Sequence, residues 1–234
     1  MGEPNMKVKT LIAIAALLIA PLSHAAFVTI NENGMDIVYS QGSFGENSVD
    51  IRIGAITSIA RPDLLDISSD AEIASIFALH VGAQDVVNFY FIDTMSACGG
   101  QINVNIIGCG EVNGQDFVVE SVFAADNSTP AGGDTTVGVQ LLSHELGHNL
   151  GLGHRSGNFL MNPSINGFMA LNAAEVATIL ASQLVHTDGN GQRFITINPV
   201  LITGAAVPEP STMLLLAMGL ILVGVGSRKL RFFS

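Results

Sequence analysis

The sequence is short of basic residues, cysteine and aromatic rings, and each shortage excludes something. Lys and Arg together number 9 in 234 residues against 20 Asp and Glu, for a formal charge of −11. Nucleic-acid binding needs a basic surface to meet phosphates, so that class is excluded. A polybasic membrane-surface protein is disfavoured on the same ground. Two cysteines cannot build a disulfide scaffold, and a chain of this length can bury a core without one. There is no Trp, and the only tyrosines are Tyr39 and Tyr90. Apolar residues nevertheless make up 48% of the chain, with a mean hydropathy of +0.47, which excludes chain-wide disorder. The size suits one ordinary domain with tails.

The few basic residues are unevenly placed. Between residues 26 and 207 there are four arginines (Arg52, Arg61, Arg155 and Arg193), no lysine and 18 acids, a net charge of −14. The other five sit at the two ends, each group beside an apolar run. Lys7 and Lys9 precede the uncharged run 11–22, and Ser23-His24-Ala25 follows it. That is the order of a secretory signal peptide, with cleavage expected between Ala25 and Ala26 and Met6 a better start than Met1. At the other end, Arg228, Lys229 and Arg231 follow the apolar run 213–226. The run is short for a bilayer-spanning helix, and the basic cluster would hold its end in the cytoplasm. Directly before it stand Pro208, Glu209 and Pro210. Pro-Glu-Pro, a short apolar helix and a basic tail, in that order, resemble the PEP-CTERM sorting signal of Gram-negative bacteria. The resemblance implies a transient inner-membrane anchor, processing by an exosortase, and a final place at the cell surface or in the extracellular matrix.

The expected organisation is therefore a signal peptide at 1–25, one domain at 26–206 and a sorting signal at 207–234. Within the domain, residues 27–31 and 35–40 read as short strands around an Asn33-Gly34 turn. Val49–Ile53 alternates apolar and polar residues and reads as a strand. Ser69 with Glu72 forms a capping box that opens a helix over 70–81, closed by Gly82 and carrying His80. Residues 86–92 are dense in β-formers, and 116–123 read as another strand. A helix over 137–150 can be capped by Asp134 or Thr135 and ended by Gly151. Asn172 and Glu175 open a further helix to about residue 183. Residues 184–187 and 193–197 then flank Asp188-Gly189-Asn190-Gly191 as a hairpin that includes His186. Strands with a helix among them, followed by helices, make an α+β layout.

Residues 144–154 read His-Glu-Leu-Gly-His-Asn-Leu-Gly-Leu-Gly-His. His144 and His148 are four apart on a helix, so both imidazoles project from one face and can meet one ion at about 2.0–2.1 Å. Gly151 allows a turn with positive φ, after which His154 can approach the same ion. Three neutral nitrogen ligands leave a fourth zinc position for water, the mark of a catalytic site. A random chain of this composition would carry the pattern on the order of once in 10⁵, so chance is a poor explanation.

This stretch resembles the metzincin clan of zinc metallopeptidases. The resemblance rests on His144-Glu145-x-x-His148-x-x-Gly151-x-x-His154 and on Phe159-Leu160-Met161-Asn162-Pro163 after it, and it covers roughly residues 134–183. It implies a zincin domain: a twisted mixed sheet, an active-site helix, a Met-turn with Met161 as a hydrophobic floor, and a C-terminal helix. His144, His148 and His154 would bind one Zn²⁺. Glu145 would be the general base for hydrolysis of a peptide or protein substrate. A strand edge would bind that substrate in extended form, with 116–123 the candidate. Some family marks are missing. Arg155 follows the third histidine where several metzincins have Asp, Glu or Ser, no Tyr is available past the Met-turn, and no inhibitory cysteine precedes the domain.

Cys98 and Cys109 are expected to form a disulfide in an oxidising compartment. Asp188–Gly191 lacks the further ligands of a calcium loop and reads as a plain turn; calcium elsewhere is possible but not placed. The alternative to a peptidase is a non-catalytic surface or matrix adhesin that keeps the fold.

Overall fold

The computed structural model describes residues 30–204. The expected signal peptide and the apolar run 213–226 lie outside the described residues, as does most of the expected strand 27–31. The first described element corrects the reading of 35–40. These residues belong to helix α1 (Glu32–Tyr39). Asn31 is its N-cap, with Oδ1 accepting from Gly34 N at 2.9 Å, so Asn33-Gly34 lies in the first helical turn. Met35, Ile37 and Tyr39 alternate like a strand, but Ile37 is 56% exposed while Met35, Val38 and Tyr39 are fully buried. Burial follows the helical period.

Next come β1 (Val49–Ile53), β2 (Thr57–Ala60), β3 (Asp66–Ile67) and helix α2 (Asp70–Phe77). Ser69 caps α2 as expected. Glu72 reaches one residue further back than the box requires, accepting from Ser68 N at 2.7 Å. The helix stops at Phe77, not 81, which leaves His80 in the following loop.

β4 (Val87–Ile92) is the middle strand of the sheet, and all six residues are buried. β5 (Thr94–Met95), β6 (Ala97–Cys98) and β7 (Gln101–Ile102) are short, and β8 (Gly108–Gly110) and β9 (Asp116–Glu120) follow. The expected strand 116–123 thus ends early, since Ser121–Ala124 turns into a helix, α3. Helix α4 (Val137–Asn149) carries the histidine motif. Its cap is Thr136, whose Oγ1 accepts from Val139 N, and not Asp134 or Thr135. Helix α5 (Ala173–Leu180) has the expected reciprocal box of Asn172 and Glu175. β10 (His186–Thr187) and β11 (Arg193–Thr203) form the expected hairpin, but β11 runs six residues past its expected end at 197. Pro199 sits opposite the break between β1 and β2, which pair with the two halves of β11.

The seven-stranded sheet has the order β1-β11-β4-β9-β8, with β2 and β10 also on β11. The pairs are parallel except β8 on β9 and β10 on β11. This is a mixed sheet in an α+β fold. Side chains alternate across it, as the pleat requires. Val87, Phe89, Phe91, Phe117 and Val119 join the core shared with α1, α4 and α5. Tyr90, Ile92, Val118 and Cys109 join a second core with α2. Helix α4 lies between the sheet and α1, and all its residues but Val137 are buried. Among the described residues no helix is long and apolar enough to cross a membrane.

Candidate metal centre

His144 and His148 lie one turn apart on α4, and their side chains are oriented from behind. His144 Nδ1 donates to Leu160 O at 2.9 Å, and His148 Nδ1 donates to Leu152 O at 2.8 Å. Each bond fixes the tautomer and leaves Nε2 as a lone-pair donor, the arrangement a metal-binding histidine needs. The turn that supplies Leu152 O is a Schellman motif. Leu152 N donates to Gly147 O and Gly151 N to His148 O, both at 2.9 Å. Gly151 has φ +93, and a Cβ there would lie 2.6 Å from Asn113 Oδ1, so glycine is required twice over. The chain then delivers His154, whose Nε2 lies 3.2 Å from that of His148. One ligand atom from each of His144, His148 and His154 lies within 4.8 Å of the others. Burial holds His144 at about 3, and it lowers His148 and His154 as well. The three imidazoles are therefore neutral at pH 7, the form that binds a metal. The trio could hold a metal ion.

Glu145 is 5% exposed and points at the edge strand β8. Burial pushes its carboxyl up to about 8, with the neighbouring Gly110 backbone opposing. The fit against the strand depends on missing side chains. A Cβ on Gly108 would strike Glu145 Oε1, and one on Gly110 would lie 3.0 Å from Oε2 and 2.7 Å from Glu145 O. Between them Cys109 faces the other way, into the second core, and is bonded to Cys98 with a Cα–Cα distance of 5.7 Å. The expected disulfide is present.

Met161 is fully buried, and its Sδ lies where a side chain on Gly147 would be. It therefore packs against α4 in the turn that holds both His144 and His148. Arg155, the departure after the third histidine, locks this loop. Its guanidinium lies 3.4 Å from the Phe159 ring centroid and bonds Glu175 at 3.2 Å, and its amide donates to Met161 O at 2.7 Å. The strand expected to bind substrate was placed wrongly: β9 is flanked on both sides, by β4 and β8. The edge beside the histidines is β8. A cleft of about 600 Å³ opens there, and apart from His144, His154 and Glu145 no ionisable side chain lines it.

Several contributors carry no motif. Tyr39 OH donates to Ser143 O at 2.8 Å from α1. Fully buried Gln140 Oε1 accepts from Asn166 N and Gly167 N, tying the 157–167 loop to α4. Asn149 holds the β8–β9 turn. Asp188 Oδ1 accepts from Asn190 N and Gln192 N and Oδ2 from Arg52, so that carboxylate is engaged in the hairpin turn.

Residues 206–231 match the family model described as the PEP-CTERM protein-sorting motif, which includes Pro208, Glu209 and Pro210. Such a motif implies export, processing by an exosortase and surface sorting in Gram-negative bacteria. No curated protein and no solved structure matches the chain.

Proposed function

We propose that the chain is an exported zinc-dependent endopeptidase with a metzincin-like zincin domain. One observation carries the reading: three histidines converge beside a buried carboxylate at the foot of an edge strand. Neutral imidazole nitrogens with carbonyl partners on their far side suit zinc. When bound, zinc supplies a Lewis acid that makes water nucleophilic near neutral pH and polarises a carbonyl.

The chain's own residues do the rest. His144, His148 and His154 hold the ion. Glu145 accepts a proton from the attacking water and delivers it to the leaving nitrogen, a task for a carboxylate whose pKa lies near the working pH. Among the described residues β8 pairs with β9 alone, so its outer edge is free to take an extended peptide by main-chain hydrogen bonds. Met161 supports the floor, and α5 holds the loop between through Arg155.

The test is zinc content together with casein and peptide-library cleavage, with and without a chelator. The expected result is one zinc per chain and chelator-sensitive cleavage that is lost in Glu145→Ala, which keeps its zinc. Undiminished cleavage by Glu145→Ala sinks the mechanism. Background activity in both chains across the library favours the non-catalytic surface or matrix protein.

A further inference from the structure

We propose that Asn149 is a positioning residue, whose amide clamps the β8–β9 hairpin across the end of α4 and so sets the place of the edge strand over Glu145. The positioning role rests on the peptidase reading; the clamp itself does not.

Asn149 directly follows the second histidine and is 1% exposed. Its Nδ2 donates to Glu111 O at 3.0 Å and to Asp116 O at 2.9 Å. Those two carbonyls bracket the hairpin turn, which also closes through Glu111 N to Asp116 O at 3.2 Å. A third bond runs the other way: Asn113 N, at the tip of the turn, donates to His148 O at 3.0 Å. The turn is thus fastened to the last two residues of α4, one of them a candidate metal ligand.

The strand needs this fastening. β8 pairs with β9 over only three positions, Gly108↔Val119, Cys109↔Val118 and Gly110↔Phe117. Two of its three residues are glycines, which bring no side chain to anchor them. Yet those glycines lie against the Glu145 side chain, so that a Cβ on either would crowd its carboxylate. An ångström of lift at the hairpin would open that contact and shift the strand that takes the substrate. Misplacement on that scale costs roughly 100-fold in rate.

The chemistry also fits asparagine alone. Its amide offers two N–H donors on a one-carbon stem. Aspartate would set a carboxylate against two carbonyl oxygens, and glutamine is one methylene too long for a helix so close to the turn. Asn149 does not line the cleft, so it acts through the hairpin and not on substrate.

The experiment uses the full-length, zinc-loaded chain with Asn149→Leu, close to isosteric and without donors, and Asn149→Asp. Metal content, amide hydrogen exchange and turnover of a fluorogenic peptide are measured at 25 °C. Both variants should keep one zinc per chain. Exchange over residues 108–116 should quicken about tenfold or more, with that of 137–148 unchanged. Turnover should fall roughly 10- to 100-fold, mostly in kcat, with Asp worse than Leu. Unchanged exchange over 108–116 overturns the clamp. Faster exchange with undiminished turnover overturns the positioning role, as does loss of activity only in step with loss of zinc. A wild-type chain that binds zinc and cleaves nothing overturns the peptidase reading, and the exchange data then decide the clamp alone.

Discussion

Helix α4 and strand β8 face each other across the candidate site and hold their places by opposite means. Twelve of the thirteen residues of α4 are buried, packed between sheet, α1 and α3, and its ends are closed by the Thr136 cap and the Schellman turn at Gly151. Among the described residues β8 has three residues, two of them glycine, one strand partner, and an unpaired outer edge. It is fixed by point contacts: the disulfide at Cys109, the amide of Asn149 and the fit of two glycines on Glu145. Two of the three candidate metal ligands and the buried carboxylate sit on the rigid element, and the surface that would receive a substrate under the proposed function sits on the weakly paired one. That division lets an edge strand stay open without a long pairing ladder.

The largest effect should come from α4 itself. Glu145→Gln keeps the shape and the metal ligands but removes the base, so peptide turnover should fall by roughly 10²–10⁴-fold with metal content unchanged. His148→Ala should instead lose the metal, measured as zinc per chain after dialysis. If both variants failed in the same way, base and ligands would not be separable and the division of roles within α4 would be wrong.

Next comes the face of β8. Gly108→Val places a branched side chain where Glu145 now lies, so the strand must lift or the carboxylate must turn. We expect turnover to drop about 100-fold and exchange over 108–110 to rise, with metal content kept. Cys109 offers the contrast from the opposite face. Replacing Cys98 and Cys109 together with Ala removes a cross-link closing an 11-residue separation, worth about 3 kcal/mol in the chain-entropy account. The loss should appear in denaturant midpoint, with a smaller drop in turnover than Gly108→Val because Cys109 does not touch Glu145. A larger drop would mean that the disulfide, and not the glycine fit, places the strand.

The same contrast explains what could be read in the sequence. The meeting of His144, His148 and His154 was legible because a helix converts a spacing of four into a shared face and Gly151 lets the chain turn back after it. The box at Asn172 and the β4 run were legible for similar local reasons. What escaped was set by tertiary contacts. Residues 35–39 satisfy both periods, and packing against β1 and α4, with the Asn31 cap, chose the helix. The edge position of β8 depends on strand order, which brings β11 from the far end of the chain between β1 and β4. Gln140 and Asn149 looked like ordinary polar positions on a helix, since their partners lie 26 to 38 residues away. Nothing in the sequence marks Gly108 and Gly110 as the positions that leave room for Glu145.

The smallest predicted effect tests whether β9, which carries β8, has its own anchor on the α2 side. His80 Nδ1 lies 3.0 Å from the Asp116 carboxylate, and His80 Nε2 lies 3.1 Å from Ala83 O. Asn88 approaches the same Nδ1 at 2.7 Å, Glu111 adds its charge, and Tyr90 faces Asp116. Burial works to lower the His80 pKa, but Asp116 and Ala83 O raise it above the usual value. The Asp116 carboxyl is raised too, by burial first, with His80 opposing. Both groups therefore hold protons more tightly folded than unfolded, so stability from the pair falls as pH rises. The His80 part is complete below about pH 6.5 and disappears as pH passes the raised folded value. His80→Leu should cost roughly 1–2 kcal/mol at pH 6, seen as a lower Tm of the zinc-saturated chain, and much less at pH 9. A Tm difference that grows with pH would mean the pair does not share a proton in the folded state. Turnover at pH 6 should change little, because the Asp116 carbonyl that Asn149 holds is fixed by the backbone pairing of β9 with β4 as well as by this side chain.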